Sequence, residues 1–210
     1  MPCRLYKGVG VGTFLHSAPD LRAHGINAHM PTAHRDTTTI MEHIARGTTR
    51  SPCISLTRSY GVAVDYAIDF SRTTPTAATP AFVYEITLPD SHGMIVIDPV
   101  AHVAADLTDP LVMPSYHHDG DMEFLLGVVD PHKMGAHLNT LIRTPKGSTP
   151  TPRPANLSLQ LETLVRALRD AEILIIDAIP AAYVTVTNGG IRKRGHHVCH
   201  QISSLGRQVR

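Results

Sequence analysis

The stretch AFVYEITL, residues 81–88, is the clearest β-strand in the sequence, because β-branched and aromatic residues fill it and polarity alternates along it. A loop rich in threonine, proline and alanine precedes it at residues 72–80, and Pro89 and Asp90 end it. On both sides, several short strands and a few helices follow one another without a regular β–α alternation. This pattern favours an α+β fold over a doubly wound sheet.

The remaining elements are predicted from hydrophobic spacing and from helix-capping residues. Strands are predicted at residues 5–15 with a closing turn, at 52–57, at 94–97 and at 121–126, and residues 173–176 either form a short strand or continue a helix. Helices are predicted through residues 40–45, from Ser59 to residue 70, and through residues 157–168. We expect a threonine among residues 37–39 to cap the first of these helices and Gly47 to end it.

Composition restricts the class of protein. Of the 210 residues, 42% are hydrophobic and 18% are charged, which is typical of a compact soluble domain. No apolar run approaches the roughly 20 residues that cross a bilayer, and no secretory signal is recognised, so no membrane partner is expected. Three cysteines, far apart and odd in number, argue against a disulfide framework and favour a reducing, cytoplasmic location. The net charge of +1 excludes a strongly polyanion-seeking protein on charge alone.

Two pairs of polar residues lie two positions apart on predicted strands, so each pair shares a face with a separation of roughly 6–7 Å. Ser55 and Thr57 present two hydroxyls, and Asp121 and Glu123 present two carboxylates. Each pair alone is ordinary for a half-exposed strand whose apolar residues turn to the core. The order of the two pairs along the chain is more informative.

That order, with Leu5-Tyr6-Lys7-Gly8 ahead of both pairs, resembles the ADP-ribosyltransferase superfamily. The similar branch is the cholera-toxin-like one, whose motifs are an arginine on the first strand, a Ser-Thr-Ser strand and a Glu/Gln-x-Glu strand. The similar segments are residues 5–8, 51–57, the helix start at 59–63, the tyrosine-containing strand at 81–88, and 120–131. The resemblance covers about residues 4–140, and residues 145–210 have no counterpart in it.

The resemblance implies a split, highly twisted antiparallel β core with flanking helices, and the transfer of ADP-ribose from NAD to an acceptor with release of nicotinamide. Glu123 would stabilise the oxocarbenium-like centre that forms as the nicotinamide–ribose bond breaks, the electronic problem that glycosidases solve with carboxylates. Asp121 would orient or deprotonate the acceptor. Ser55 would hold Glu123 and the ribose in place, with Thr57 in support.

The same resemblance implies which residues contact NAD and the acceptor. Lys7, followed by Gly8, would meet the pyrophosphate. Tyr60 and Tyr66 are both candidates for the aromatic wall of the nicotinamide slot. The residues implied for contact with the acceptor are Tyr116 and His117.

The chain departs from each of the three family motifs. Lys7 replaces the arginine, which keeps the charge and loses the bidentate fork; Arg4 lies on the opposite face of the strand, because its spacing from Lys7 is odd. Leu56 and Thr57 replace the last two members of the second motif and keep the alternation. Asp121 replaces glutamate or glutamine, which leaves open whether the acceptor is a protein side chain, a nucleobase or a small molecule.

Two other functions are compatible with the sequence. An NAD glycohydrolase would use water in place of the acceptor, and no motif separates it from a transferase. A catalytically silent nucleotide-binding module would keep the fold without the arginine. Lys7 favours such a module, and the presence of Glu123 argues against it.

Four prolines among residues 144–154 mark a linker or a long exposed loop. The predicted division is an NAD-binding catalytic domain at residues 1–144, a proline-rich linker at 145–155, and a helical, basic extension at 156–210 that either stands apart or belongs to the same domain. The basic residues of this extension could contact nucleic acid phosphates, but a solvated tail is the favoured interpretation. Histidines at 117–118 and 196–200 lack a second cluster of matching spacing, so no metal site is predicted.

Overall fold

The computed structural model describes residues 3–18, 20–69, 71–107, 117–118, 121–122, 159–187, 193–194 and 197–198. The described helices are α1 (Phe14–Ser17), α2 (Leu21–His24), α3 (Thr37–Arg46), α4 (Tyr60–Ile68), α5 (Pro99–Leu107) and α6 (Leu159–Asp170), with a 3₁₀ turn at Ala181–Tyr183. The described strands are β1 (Cys3–Val9), β2 (Ile26–Asn27), β3 (Cys53–Thr57), β4 (Phe82–Leu88), β5 (Val96–Ile97), β6 (His117–His118), β7 (Asp121–Met122), β8 (Glu172–Ile176), β9 (Ala178–Ile179), β10 (Val184–Val186), β11 (Lys193–Arg194) and β12 (His197–Val198).

Packing groups the described residues into two units, each assembled from separate parts of the sequence. The first takes them from residues 1–25, 59–90 and 180–210, and the second from 26–58 and 91–179. This grouping differs from the predicted division, because α6 and β8 of the predicted extension belong to the second unit and β10 belongs to the first. The predicted linker at 145–155 lies outside the described residues.

The first unit is built around β4, which confirms the strand predicted at residues 81–88. β4 lies between β1 and β10 and is antiparallel to both, so that Ile86 is opposite Leu5 on one side and Val184 on the other. All three side chains are buried, and apolar contact across the strands therefore stabilises the sheet. The apolar cluster that contains the buried residues of α4 consists of Val11, Ala63, Val64, Ala67, Ile68, Ala81 and Val83.

Close packing of α4 against β1 requires a glycine at position 8. A Cβ at Gly8 would overlap the backbone carbonyl oxygen of Ala63 in α4 and lie 2.9 Å from Cβ of Tyr66. Because the nearest obstacle is backbone, it cannot rotate away. Gly10, just after β1, is similarly close to Ser71, whose Oγ accepts a hydrogen bond from the N–H of Val11 at 2.9 Å.

In the second unit β8 lies between β3 and β5 and is antiparallel to both. All five residues of β8 are buried, so the segment at 173–176 is a strand with both faces covered. Ile44 of α3 and Ala167 of α6 pack with Leu174 of β8 in one apolar cluster. The apolar spacing that predicted α3, through Ile40 and Ile44, therefore marks the face of that helix that packs with this sheet.

A buried ion pair lies within α6. Arg166 and Glu162, one helical turn apart, are both fully buried, and Nε of Arg166 is 3.6 Å from Oε1 of Glu162. Beside them, the hydroxyl of Thr163 donates to the carbonyl oxygens of Leu159, at 2.7 Å, and Met41, at 3.2 Å. The second of these bonds joins α6 to α3.

The helix ends confirm some capping predictions and correct one. α3 ends at Gly47, which adopts a left-handed conformation with φ of 63°, as predicted. Its N-cap is Asp36 and not a threonine: the Asp36 carboxylate accepts from the N–H of Thr39 at 2.8 Å. An ionised carboxylate binds these N–H groups and also interacts favourably with the helix dipole, which explains the preference. Ser59 is the N-cap of α4, which agrees with the predicted start of that helix.

Several short elements were not predicted. α5 follows β5, where no helix was predicted. α1 overlaps the end of the strand and turn predicted at residues 5–15, and α2 lies where no element was predicted. The predicted strand at 94–97 is shorter and begins at Val96. β6 lies where no strand was predicted, and the predicted strand at 121–126 is described only for residues 121–122.

Helices combine with antiparallel strand pairs, among them β1 with β4, β4 with β10, β3 with β8 and β5 with β8, which confirms the α+β class. Within the same residues, no helix combines the length and apolar character needed to cross a bilayer.

Candidate functional site

Ser55 is the most accessible residue of β3. The two residues on either side of it are buried, and Ser55 is half-buried. The predicted simple alternation, with both hydroxyls exposed, is therefore wrong for Thr57, which is only 6% exposed. β3 presents one hydroxyl to its surroundings, and that hydroxyl belongs to Ser55.

A histidine from α3 holds Ser55. Nε2 of His43 lies 2.9 Å from Oγ of Ser55, and Nδ1 of the same ring lies 2.6 Å from Oγ of Ser51 and 3.1 Å from the carbonyl oxygen of Thr48. Ser51 is 1% exposed and accepts from the N–H of Cys53 at 3.4 Å. The imidazole ring is thus fixed on both nitrogens, and it fixes the Ser55 hydroxyl in turn.

The hydroxyl of Thr57 makes a contact that the sequence did not predict. Its hydroxyl donates to the backbone carbonyl oxygen of Asp170 at 2.5 Å, at the end of α6. The N–H of the next residue, Arg58, donates to the carbonyl of Ala171 at 3.0 Å. These two bonds join the end of β3 to the turn between α6 and β8, so the Thr57 hydroxyl stabilises the second unit.

In the first unit, Lys7 and Gly8 face opposite sides of β1. Lys7 is directly opposite Tyr84 of β4, and side chains directly opposite on antiparallel strands share a face. Gly8 faces α4, because a Cβ there would meet Ala63 and Tyr66. The aromatic residue directly opposite Lys7 on this face is therefore Tyr84.

Tyr60 and Tyr66, both predicted to bind NAD, are associated with the other face. The ring of Tyr60 packs edge-on against the ring of Tyr6, with centroids 5.5 Å apart, and Tyr6 shares the face of Gly8. The structure thus brings Tyr60 and Tyr66 together on α4 and separates them from Lys7 by the thickness of the strand. Sequence reasoning missed Tyr84, although its position on the clearest strand was known.

The surroundings of Tyr84 are charged and aromatic. Burial, followed by the negative charge of Asp20, raises the pKa of the Tyr84 phenol. Asp20 itself is exposed, and its hydrogen bonds with the side chain and backbone of Arg22 lower its pKa to about 2. The Tyr84 ring also lies 6.2 Å from that of Phe82 between centroids. The Lys7 face of this sheet thus combines a cation, a neutral phenol and an aromatic neighbour.

Arg4 forms an ion pair and does not substitute for Lys7. Its Nε lies 3.1 Å from Oε1 of Glu85, across the β1–β4 pair. This contact gives Glu85 a structural role in the sheet.

The third motif is largely outside the described residues. Glu123 and Tyr116 both lie outside them, so their predicted roles rest on the sequence. The backbone of Asp121 is in β7, opposite His118 of β6, and His117 is opposite Met122. The structure therefore brings the backbones of two predicted site residues, Asp121 and His117, into one hairpin.

His43 is the residue that sequence reasoning missed in the second unit. It lies three residues after Ile40 and next to Ile44, at the edge of the apolar face of α3 that covers β3. A polar residue at the edge of such a face is positioned to reach a polar residue of the covered strand. That signal was present in the sequence, but no local pattern shows that Ser55 is the residue that His43 reaches.

No group of three or more histidine, cysteine, aspartate or glutamate side chains suited to a metal ion occurs among the described residues. Comparison with protein-family models, with curated proteins and with solved structures finds no match for this chain.

Proposed function

We propose that this protein transfers ADP-ribose from NAD to an acceptor and releases nicotinamide. Ser55 and Glu123 act at the reacting ribose, Asp121 acts on the acceptor, and Lys7 binds the pyrophosphate. The proposal rests on the order of the motifs along the chain together with the local geometry around two of them.

The observation that best supports the proposal is the fixed position of Ser55. A hydroxyl that is to hold a ribose must be accessible and must keep one orientation, because misplacement of a reactant costs much of the catalytic advantage. Ser55 is the accessible residue of an otherwise buried strand, and His43 fixes it at 2.9 Å. His43 is therefore a positioning residue in this proposal.

The face of Lys7 is consistent with nucleotide binding. A lysine meets phosphate as a point charge, and the phenol of Tyr84 on the same face stays protonated and can donate a hydrogen bond. The NAD-binding residues of the first unit in this proposal are Lys7 and Tyr84. Tyr60 and Tyr66, on the other side of the strand, support the packing of α4.

Glu123 carries the chemical step. As the bond between nicotinamide and ribose breaks, positive charge develops on the ribose, and a carboxylate placed beside it lowers the energy of that transition state. Nicotinamide leaves with the bonding electron pair, and the acceptor supplies the electron pair for the new bond. Asp121 takes the proton that the acceptor loses.

The test is incubation with NAD, with nicotinamide release measured in the presence and absence of candidate acceptors. Glu123→Gln should lower the release at least about a hundredfold, the scale for one positioned electrostatic group. Glu85→Gln is the matched control, because Glu85 is paired with Arg4, and it should leave turnover unchanged.

Three outcomes distinguish the functions. Turnover that requires an acceptor establishes a transferase, and turnover in water alone establishes a glycohydrolase instead. Binding of NAD without any turnover identifies a silent binding module. Near-normal turnover by Glu123→Gln would remove Glu123 from the mechanism.

A further inference from the structure

We propose that Arg22 of α2 is a second phosphate-binding residue on the Lys7 face, so that the pyrophosphate of NAD is held by a lysine from β1 and by a guanidinium from α2. The identity of the ligand rests on the proposed function. Both residues belong to the first unit. Arg22 adds a directional, paired contact, which a lysine alone cannot make.

The segment that leads into α2 lies along β4 on the Lys7 face. Phe82 and Tyr84 are two residues apart on β4, so both share the face on which Tyr84 is opposite Lys7. The ring of His16, in α1, lies 6.0 Å from the ring of Phe82 between centroids. Nε2 of His16 also lies 3.0 Å from the carbonyl oxygen of Pro80. These contacts place α1 beside the start of β4 on this face.

α2 continues this segment toward Tyr84. It packs against the 3₁₀ turn and against β10, the strand that pairs with β4 beside Tyr84. Leu21 is only 3% exposed and anchors α2, while its neighbours Asp20 and Arg22 are exposed. Burial has the largest effect on the pKa of the Tyr84 phenol and raises it, and the charges of Asp20 and Arg22 then raise and lower it respectively. Arg22 therefore lies near the Tyr84 phenol.

The guanidinium of Arg22 is held in place and keeps free N–H groups. Its Nε lies 2.9 Å from each carboxylate oxygen of Asp20, and its Nη2 bonds one of them. A guanidinium has five N–H donors, and these contacts use the one on Nε and one of the two on Nη2. The other donors of Arg22 have no partner among the residues that the structure describes. The side chain is 58% exposed, so a ligand can reach them.

The chemistry of these side chains suits a pyrophosphate. Its oxygens lie on two linked phosphate groups, and a lysine meets them only as a point charge. The guanidinium adds parallel N–H groups that match two oxygens, and the protonated phenol of Tyr84 adds a further donor. Asp20 opposes binding by its charge, since two cations and one carboxylate leave a single net positive charge. Directed hydrogen bonds from Arg22 therefore contribute more than an excess of charge.

The first experiment separates a direct contact from a change of charge. Arg22→Met alone would leave the Asp20 carboxylate unpaired beside the ligand. The informative variant combines Arg22→Met with Asp20→Asn, because its local net charge equals that of wild type and asparagine can still cap α2. By calorimetry of the full chain, this double variant should bind NAD about tenfold more weakly, the scale of one lost hydrogen bond to a charged group. Affinity equal to that of wild type would overturn the proposal.

Two control variants complete the comparison. Arg4→Met removes an exposed arginine that is paired with Glu85 on the opposite face of β1, so its affinity for NAD should equal that of wild type. Asp20→Asn alone keeps Arg22 and removes a negative charge, so it should bind NAD at least as tightly as wild type. If Asp20→Asn alone binds as weakly as the double variant, the loss comes from Asp20 and the role assigned to Arg22 is wrong.

The second experiment does not depend on NAD. The full chain is titrated with inorganic pyrophosphate and observed by nitrogen-15 NMR of the arginine side chains, which should shift the Nε signal of Arg22 and leave that of Arg4 in place. Failure of wild type to bind NAD would overturn the proposed function, whereas a response of Arg22 to pyrophosphate would still support a phosphate site. An Arg22 signal that responds neither to pyrophosphate nor to NAD would overturn the inference.

Discussion

Lys7 and Arg4 are two cations on one strand with different surroundings. Arg4 is paired with Glu85 on one face, whereas Lys7 shares the other face with Tyr84. Because strand periodicity separates the two faces, the function of one cation cannot pass to the other without a change of register. We therefore expect loss of the charge at Lys7 and loss of the charge at Arg4 to affect NAD binding differently.

Lys7→Met should weaken NAD binding by roughly 1.5–3 kcal/mol, the range for a hydrogen bond to a charged group. Lys7→Arg should bind NAD as well as wild type or more tightly, because a guanidinium adds a second, parallel contact to phosphate. Calorimetric titration measures both. Arg4→Met is the control, and its affinity for NAD should equal that of wild type. If Lys7→Met also binds NAD as tightly as wild type, Lys7 does not bind the pyrophosphate.

Asp20 provides a pH prediction. Its pKa of about 2 lies below the ordinary 3.8, so the folded state favours the charged carboxylate. The stability that this contributes is present above pH 4 and is lost as the pH falls from about 4 to about 2. Carbon-13 NMR of the carboxyl group should give a titration midpoint of about 2, and Arg22→Met should raise it. The pKa of Asp36, lowered by the N–H of Thr39, is the internal control and should not move in this variant.

At the scale of elements, the contact of β1 with α4 depends on the absence of a side chain at Gly8. Gly8→Ala should destabilise the fold by about 1–3 kcal/mol, because a methyl group would push against the backbone of Ala63. Gly61→Ala is the matched control: its nearest contact would be Ser59 Oγ at 3.7 Å, and alanine favours helix by about 1 kcal/mol. Urea unfolding of both variants measures the difference. An equally stable Gly8→Ala would mean that α4 shifts freely on β1.

The elements that could be predicted from the sequence are those with a strong local signal. β4 has dense β-branched and aromatic content, and α3 and α4 have capping residues and apolar periodicity. α5 was missed because it begins at Pro99 directly after a strand, where the capping signal of Asp98 was not weighed. Two-residue strands such as β2 and β9 form only because a distant segment pairs with them, and no local pattern records that.

The same limit applies to the site. Ser55 could be proposed as a candidate site residue from its spacing, but the bond to His43 joins residues that are 12 positions apart through the packing of a helix on a strand. The faces of Lys7 and Gly8 followed from alternation, whereas the covering of the Gly8 face by α4 did not. The exposure of Thr57 was predicted wrongly, because strand periodicity predicts which residues share a face and does not predict what covers that face.

At the scale of the whole molecule, both units depend on the C-terminal third of the chain. β8 separates β3 from β5 and is buried along its whole length. A chain ending at residue 155 would leave the inner edges of β3 and β5 unpaired and would lose the apolar cover of α6. In this truncated chain we expect the second unit to unfold without cooperativity and to be digested rapidly by protease. If the second unit resists protease without residues 156–210, these residues form a separate extension. That outcome is one of the two alternatives in the predicted division.

The place of β8 and β10 in the sequence also bears on synthesis at the ribosome. β8 joins β3 to β5, and β10 pairs with β4, so both strands follow in the sequence the strands that they pair with. The earlier strands are therefore translated before the partners that cover their edges. Multidomain chains often fold from the N-terminus onward during translation, but β3 and β5 cannot be joined until β8 has been made. Premature termination anywhere before β8 should therefore yield a nascent chain with exposed strand edges, a substrate for chaperones rather than a partly active protein.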